Sequence, residues 1–137
     1  MVGFEEKALC RKIAKTFEFA GMKGYPVEEF TKEWLESDTA KRIYDRDFNE
    51  IAQSSLYVLN SLLKEKELVC DGSGKDYTDL FFWLGYTITY MQFYLEVSPE
   101  KLWNKYDIIG FAGSYDVLHT LSSKTATEEC VNEHKRP

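Results

Sequence analysis

The chain has 137 residues, of which 44% are hydrophobic and 15% aromatic. This length suits one compact domain, or two very small ones that share a core, and the apolar content argues against disorder except at the termini. Seventeen lysines and arginines against 23 aspartates and glutamates give a formal net charge of −6. Because nucleic-acid binding depends on neutralising phosphates, we predict no nucleic-acid partner, whereas a basic protein partner is compatible with this charge.

The cysteines and the apolar segments indicate the cellular compartment in which the protein is expected. Cys10, Cys70 and Cys130 are an odd, scattered set, which argues against a disulfide framework and suits a reducing cytosol. The N-terminal stretch is charged from residue 5 onward, unlike a signal peptide. The most apolar stretch, residues 80–95, is too short and too polar to span a bilayer comfortably. We therefore predict a cytoplasmic protein that has no membrane partner.

Apolar residues at helical spacing predict four helices before residue 70. Glycines, prolines and capping side chains set their ends. In chain order they are a helix over about residues 4–20, one opening at Pro26, a short one capped by Ser37 or Asp38 that reaches Tyr44, and one that starts at Asp47 and continues through Leu62.

Residues 71–75, Asp-Gly-Ser-Gly-Lys, form the one clear linker, which separates a helical half, 1–70, from a second helical half, 76–137. The second half is predicted to hold an aromatic helix from Asp76 or Thr78 to about Glu96, a helix opened by Ser98 and Pro99, a helix over 115–121, and a last helix over about 123–132 before a frayed end. No segment alternates like a strand. We predict an all-α fold, a compact bundle of about six to eight short helices around a central aromatic helix.

The two halves share a weak pattern. Trp34 precedes Tyr44-Asp45 in the first half, and Trp103 precedes Tyr115-Asp116 in the second, although the spacings differ by several residues. Two similar helical units packed across the linker would explain this pattern. Coincidence between amphipathic helices would explain it equally well.

The aromatic helix carries the main candidates for partner binding, because a helix that is apolar on nearly every side needs cover. Tyr86, Tyr90 and Tyr94 recur every four residues and form a tyrosine stripe. Tyrosine is favoured in interfaces, since it combines a large ring with a polar tip. We add Trp83 and Trp103 to these candidate partner-binding residues. The alternative interpretation is that the stripe is half-buried core.

The segment containing Tyr115, Asp116, His119 and Thr120 is the one candidate for chemistry. Asp116 and His119 are three residues apart on a predicted helix, so their side chains are within reach of each other. An Asp–His pair can orient a general base, but no nucleophile motif accompanies it. We favour a structural network in which both side chains satisfy each other and nearby backbone groups. No catalytic residue is assigned.

Two further patterns fail on chemical grounds. Cys130 and His134 have the spacing of two zinc ligands, but zinc needs three or four, and the chain has two histidines in all. Residues 72–75 resemble a phosphate-binding loop, yet Val69 and Asp76 occupy positions where that loop requires glycine and a serine or threonine. We predict neither a metal site nor a cofactor.

Residues 80–121 resemble a family of short, uncharacterised bacterial proteins. That family has an apolar aromatic helix, an S-x-E-x-L/V helix and a segment ending in Tyr-Asp-Val-Leu-His-Thr, which stands intact here at residues 115–120. The first half is similar to a companion family with a W-L-x-S-x-x-A helix, here from Trp34, and a Q-S-x-x-Y-x-L helix, here from Gln53. The chain departs from the pattern at residues 125–131, which are poorer in apolar residues.

The resemblance implies an antitoxin or toxin-associated role, because members of that family are often encoded beside proteins similar to ADP-ribosyltransferase toxins. From residues and resemblance together we predict a non-enzymatic protein-binding module whose partner is a toxin encoded nearby. Two alternatives stay open. One is a small enzyme or ligand-binding domain that uses Asp116 and His119, and the other is a structural subunit of a homo-oligomer.

Overall fold

The computed structural model describes residues 2–137, which form an all-α fold and contain no strand. This confirms the predicted fold class, although ten α-helices replace the predicted six to eight. The helices are α1 (Phe4–Lys23), α2 (Val27–Leu35), α3 (Asp38–Tyr44), α4 (Phe48–Ile51), α5 (Ser55–Glu65), α6 (Thr78–Leu95), α7 (Pro99–Lys105), α8 (Ile108–Ala112), α9 (Tyr115–Leu118) and α10 (Ser123–Glu133), with a 3-10 helix at Ser73–Tyr77.

The predicted fourth helix is divided into α4 and α5, so the prediction of one continuous helix is wrong. The Ser54 hydroxyl accepts a hydrogen bond from the Tyr57 N–H at 3.2 Å and caps α5. The Ser55 hydroxyl donates to the Lys12 carbonyl at 2.9 Å, and the Lys12 ammonium donates to the Ile51 carbonyl. The break is therefore stabilised by α1, which local sequence signals do not reveal.

Helices α1 and α6 cross at the centre of the fold, where glycines let them approach closely. A Cβ on Gly85 would lie 2.8 Å from the Ile13 carbonyl oxygen and 2.8 Å from Cγ of Phe17. A Cβ on Gly21 would lie 2.6 Å from a ring carbon of Phe81. Each helix thus presents a glycine to a large residue of the other, and the aromatic helix is central, as predicted.

One buried cluster joins the two predicted halves. Phe17 meets Phe30 edge-on at 4.9 Å between ring centroids and Trp34 at 5.8 Å. Phe30 in turn meets Phe81 of the second half at 5.9 Å. The halves are therefore continuous through a shared aromatic core, in which such edge-to-face pairs add to the gain from burial.

The predicted linker is a packed turn. The Gly72 N–H donates to the Gly24 carbonyl at 2.8 Å, and both glycines have positive φ. Gly74 is buried, and a Cβ there would lie 2.1 Å from the Tyr25 carbonyl oxygen. Residues 71–75 are therefore held against the turn between α1 and α2, and from Ser73 onward they belong to the 3-10 helix.

The last four residues are not frayed, so that prediction is wrong. The Asp107 N–H donates to the His134 carbonyl at 2.7 Å. The Arg136 Nε–H donates to the carbonyls of Trp103 at 3.0 Å and Tyr106 at 3.1 Å, and the guanidinium lies 5.3 Å above the Trp103 ring. Free carbonyls at the end of α7 thus fix the C-terminal segment.

Replacing Arg136 with alanine is expected to lower the free energy of unfolding by about 1 kcal/mol, since it removes hydrogen bonds to two carbonyls and a cation–π contact. Urea unfolding followed by tryptophan fluorescence measures the change. Lys135→Ala is the control, because the Lys135 side chain makes no hydrogen bond or ion pair with residues 2–137. Equal stability of the two variants would contradict the role given to Arg136.

Candidate functional site

The tyrosine stripe of α6 is half-buried. Tyr90 and Tyr94 stack on each other, with centroids 5.8 Å apart, and burial raises the pKa of Tyr86 and of Tyr90. All three tyrosines pack against a small second cluster made by Val2, Leu9, Cys10 and Phe93. This is the packing expected from the interpretation of the stripe as half-buried core.

The two candidate tryptophans contact different parts of the fold. The Trp83 ring stacks on Phe111 at 5.2 Å and meets Tyr115 edge-on at 5.4 Å. Trp103 is half-buried and lies under Arg136. Trp83 therefore contacts the segment of residues 115–120, whereas Trp103 belongs to the C-terminal contact.

No hydrogen bond joins Asp116 and His119, so the predicted pairing is wrong, although His119 contacts a nearby backbone carbonyl as the predicted network requires. The His119 ring stacks on Tyr115 at 4.5 Å, and its Nδ1 lies 2.7 Å from the Tyr115 carbonyl oxygen. Asp116 is exposed and makes no hydrogen bond within residues 2–137. The exposed Thr120 hydroxyl donates to the Val117 carbonyl at 2.7 Å. His119 keeps helical backbone angles, and its N–H donates to the Tyr115 carbonyl at 2.9 Å. Its ring therefore faces Tyr115, four residues back, and no carboxylate within residues 2–137 orients it as a base.

Since both side chains are exposed, His119→Ala and Asp116→Asn are each expected to change the free energy of unfolding by less than about 0.5 kcal/mol. Leu118 lies between them and is buried, so Leu118→Ala is expected to cost about 2–5 kcal/mol. Thermal melts of the three variants test this contrast. A marked loss of stability in either polar variant would restore the structural network predicted from the sequence.

A groove crosses the surface formed by α2, the 3-10 helix, the start of α6 and the α8–α9 region. Its middle cleft has a volume of about 400 Å³ and is flanked by clefts of about 350 and 360 Å³. The first flanking cleft shares Pro26, Glu29 and Asp71 with the middle one, and the second shares Tyr77, Leu80, Ala112 and Gly113. The three clefts are therefore continuous.

The floor of this groove is apolar and its rim is acidic. Val27, Leu80 and Ile109 are half-buried in the middle cleft. Lys32 is the one basic residue that lines these three clefts, and it is 3.1 Å from Glu36, which raises the pKa of Lys32. A fourth cleft shares Glu67 with the first flanking cleft and brings Lys64 and Lys66 close to that end of the groove. The acidic residues that line the three clefts are Glu28, Glu29, Glu33, Glu67, Asp71, Asp76, Asp79 and Asp116.

None of these eight carboxylates takes part in an ion pair within residues 2–137, although other carboxylates in that part of the chain form five ion pairs. The three clefts thus take eight of the protein's 23 acidic residues and one of its 17 basic residues, and the middle cleft and the Tyr115 end have no basic residue in their lining. Uncompensated charge of one sign around a concavity attracts ligands of the opposite sign.

The groove ends at Tyr115, where two tyrosine rings and three aspartates line the last cleft. These rings belong to Tyr77 and Tyr115. The Trp83 ring meets Tyr115 edge-on and itself stacks on Phe111. Burial raises the pKa of the Tyr115 hydroxyl, and the charges of Asp79 and Asp116 add to the effect. The acidic residues of the groove are scattered between positions 28 and 116, so no sequence motif brings them together.

Cysteines and histidines form no second site in the described chain. Cys10 and Cys130 are buried, and burial raises the pKa of each thiol to about 12. The His134 ring meets Phe111 edge-on at 6.0 Å. Among residues 2–137, no three His, Cys, Asp or Glu side chains approach closely enough to hold a metal ion, and no helix has the length and apolarity needed to cross a membrane.

Comparisons of the chain with models of protein families, with curated proteins and with solved structures find no match. The family resemblance of residues 80–121 and its companion in the first half therefore stay predictions. Geometry and charge are the basis on which a function can be assigned to this chain, and the groove is the surface where both are distinctive.

Proposed function

We propose that this protein acts by binding another protein, and that the acidic groove is its binding surface. The supporting observation is the set of eight unpaired carboxylates around an apolar floor. A partner with a positively charged surface gains from electrostatic complementarity, which speeds association and fixes orientation. The apolar floor adds the free energy of burying nonpolar surface.

The groove favours a protein partner over the other candidate classes. Its clefts are each near the lower end of the range for small-molecule sites, about 300–1,000 Å³, and they form one elongated channel. The repulsion between its carboxylates and phosphate argues against nucleic acid and anionic lipid. The enzyme alternative loses its main support, because Asp116 does not orient His119. A second copy of this acidic chain would bring like charges toward the groove.

The family resemblance supports a toxin as the partner, and we include this identification in the proposal. Reading the genes beside this one is the cheapest test of it. A neighbouring toxin-like gene whose product has a basic surface is the expected result. An orphan gene would remove the toxin and leave the groove as the binding surface for a different basic protein.

Capture experiments with a charge-reversed groove test the proposal. Tagged wild-type protein is compared with Glu29→Lys/Glu67→Lys, two exposed groove positions, in a native lysate. The control, Glu5→Lys/Glu129→Lys, changes the net charge equally at exposed sites outside the groove. We expect the groove variant to lose its partner at least about tenfold while the control retains it, with weaker capture in high salt.

Circular dichroism of both variants establishes that they are folded. Equal capture by groove variant and control would overturn the assignment of the binding surface. Capture of nothing by the wild-type protein would overturn the proposal as a whole.

A further inference from the structure

We propose that the Tyr115 end of the groove is a subsite for an arginine or lysine side chain of the partner, and that the middle cleft takes an apolar side chain of the same segment. This inference rests on the proposed function and names the partner's binding element. That element is a flexible basic segment in which an apolar residue and a cationic residue point into the groove together.

The end subsite has the two features that hold a guanidinium or ammonium group. Asp76, Asp79 and Asp116 supply carboxylates, which form charge-assisted hydrogen bonds with such groups. The exposed ring of Tyr77 supplies an aromatic face, which attracts a cation within about 6 Å of the ring centre. His119 already stacks on one face of Tyr115, so Tyr115 contributes mainly contact area to the wall of the subsite. The subsite therefore offers a cation both charge and contact area.

The fold uses the same contact elsewhere and leaves it open here. The Arg46 guanidinium lies 4.7 Å from the centre of the Phe93 ring while it pairs with Glu6 at 3.1 Å. This combination of arginine, aromatic ring and carboxylate is the one expected at the end subsite. Within residues 2–137 no arginine or lysine lies over Tyr77 or Tyr115, so a cation that binds there comes from a partner.

The carboxylates of the groove suit an organic cation better than a metal ion. A metal ion needs several oxygen ligands at one point, whereas these side chains are spread along a channel. A side chain of arginine or lysine spans several ångströms and can contact carboxylates and rings that are apart from each other.

The middle cleft supplies the second contact of the same segment. It is lined by Val27, Ile109 and Leu80, and it shares Tyr77 and Leu80 with the end subsite. In an extended chain, residues i and i+2 lie on one face about 6.5–7 Å apart. An apolar residue followed two positions later by a basic one can therefore fill both clefts from one strand-like segment.

Titration of the isotope-labelled full chain with a short synthetic peptide tests this inference. The probe is acetyl-Ser-Leu-Ser-Arg-Ser-amide, in which arginine is the one cation, and two matched peptides replace its arginine with citrulline or its leucine with serine. Citrulline keeps the shape of arginine and lacks its charge. We expect chemical-shift changes at Tyr77, Ile109 and Tyr115, with at least about tenfold weaker binding for each matched peptide.

A protein variant completes the design. Asp79→Asn/Asp116→Asn should weaken the parent peptide to the level of the citrulline peptide and leave the citrulline peptide unchanged, whereas Glu5→Gln/Glu129→Gln should bind like the wild type. Equal binding of arginine and citrulline peptides, shift changes on another surface, or no binding would overturn the subsite. If the peptide test fails but capture in lysate still depends on Glu29 and Glu67, the proposed function stands without the subsite. If capture does not depend on Glu29 and Glu67 either, both proposals fail.

Discussion

Replacing Gly85 with alanine is expected to destabilise the protein by about 1–3 kcal/mol, the usual cost of overpacking a core. The new Cβ would lie 2.8 Å from the backbone oxygen of Ile13 and 2.8 Å from the ring of Phe17, so the two central helices must move apart. Alanine normally stabilises a helix by about 1 kcal/mol relative to glycine. A net loss of stability therefore shows that the steric clash costs more than this gain.

Gly113→Ala is the matched control for this substitution. Gly113 is exposed, has a negative φ, and its nearest atom to an added Cβ is the Gly110 carbonyl oxygen at 3.3 Å. We expect Gly113→Ala to stay within about 0.5 kcal/mol of the parent. Differential scanning calorimetry of both variants compares them directly. If Gly85→Ala melts at or above the parent temperature, the close crossing of α1 and α6 does not limit stability.

Helices were predicted well where their signals are local. The Ser37 hydroxyl accepts a hydrogen bond from the Ala40 N–H at 3.0 Å, and Ser98 caps α7 through the Lys101 N–H at 3.3 Å. The sequence predicts Ser98 as a helix start and offers Ser37 or Asp38 as the cap of α3, and the structure uses Ser37. A side-chain cap involves residues two or three positions apart, so its pattern is visible in any short stretch of sequence.

Errors occur where distant parts of the chain decide the structure. The break before α5 depends on Lys12, 39 residues away from its partner Ile51, and the ordered C-terminus depends on Arg136 reaching Tyr106. The groove was missed for the same reason, because tertiary packing alone assembles its carboxylates. The error at Asp116 and His119 has a local cause instead, because His119 stacks on Tyr115, four residues back, and leaves Asp116 exposed.

Replacing Arg42 with methionine is expected to cost about 2 kcal/mol, because it leaves the Glu50 carboxylate without its cation. Arg42 Nε–H donates to Glu50 Oε1 at 2.9 Å, and its Nη2–H donates to the Thr39 hydroxyl at 3.3 Å. The Glu50 side chain is 8% exposed, which makes its charge costly to leave unpaired. The Arg42 side chain is 42% exposed, so the loss should be smaller than the roughly 3–5 kcal/mol of a fully buried pair.

A double-mutant cycle in urea separates this pair from simple loss of contacts. Glu50→Gln removes the buried charge, so the free energy of unfolding that Arg42→Met/Glu50→Gln loses should be smaller than the sum of the single losses by about 1 kcal/mol or more.

Lys41→Met is the control, because the neighbouring pair Lys41–Asp45, at 3.3 Å, has side chains 68% and 53% exposed. Exposed pairs contribute roughly 0–1 kcal/mol, so this control should differ little from the parent. Additive losses in the cycle would mean that Glu50 is satisfied without Arg42, and the ion pair would then be a consequence of the packing of α3 against α4 rather than one of its causes.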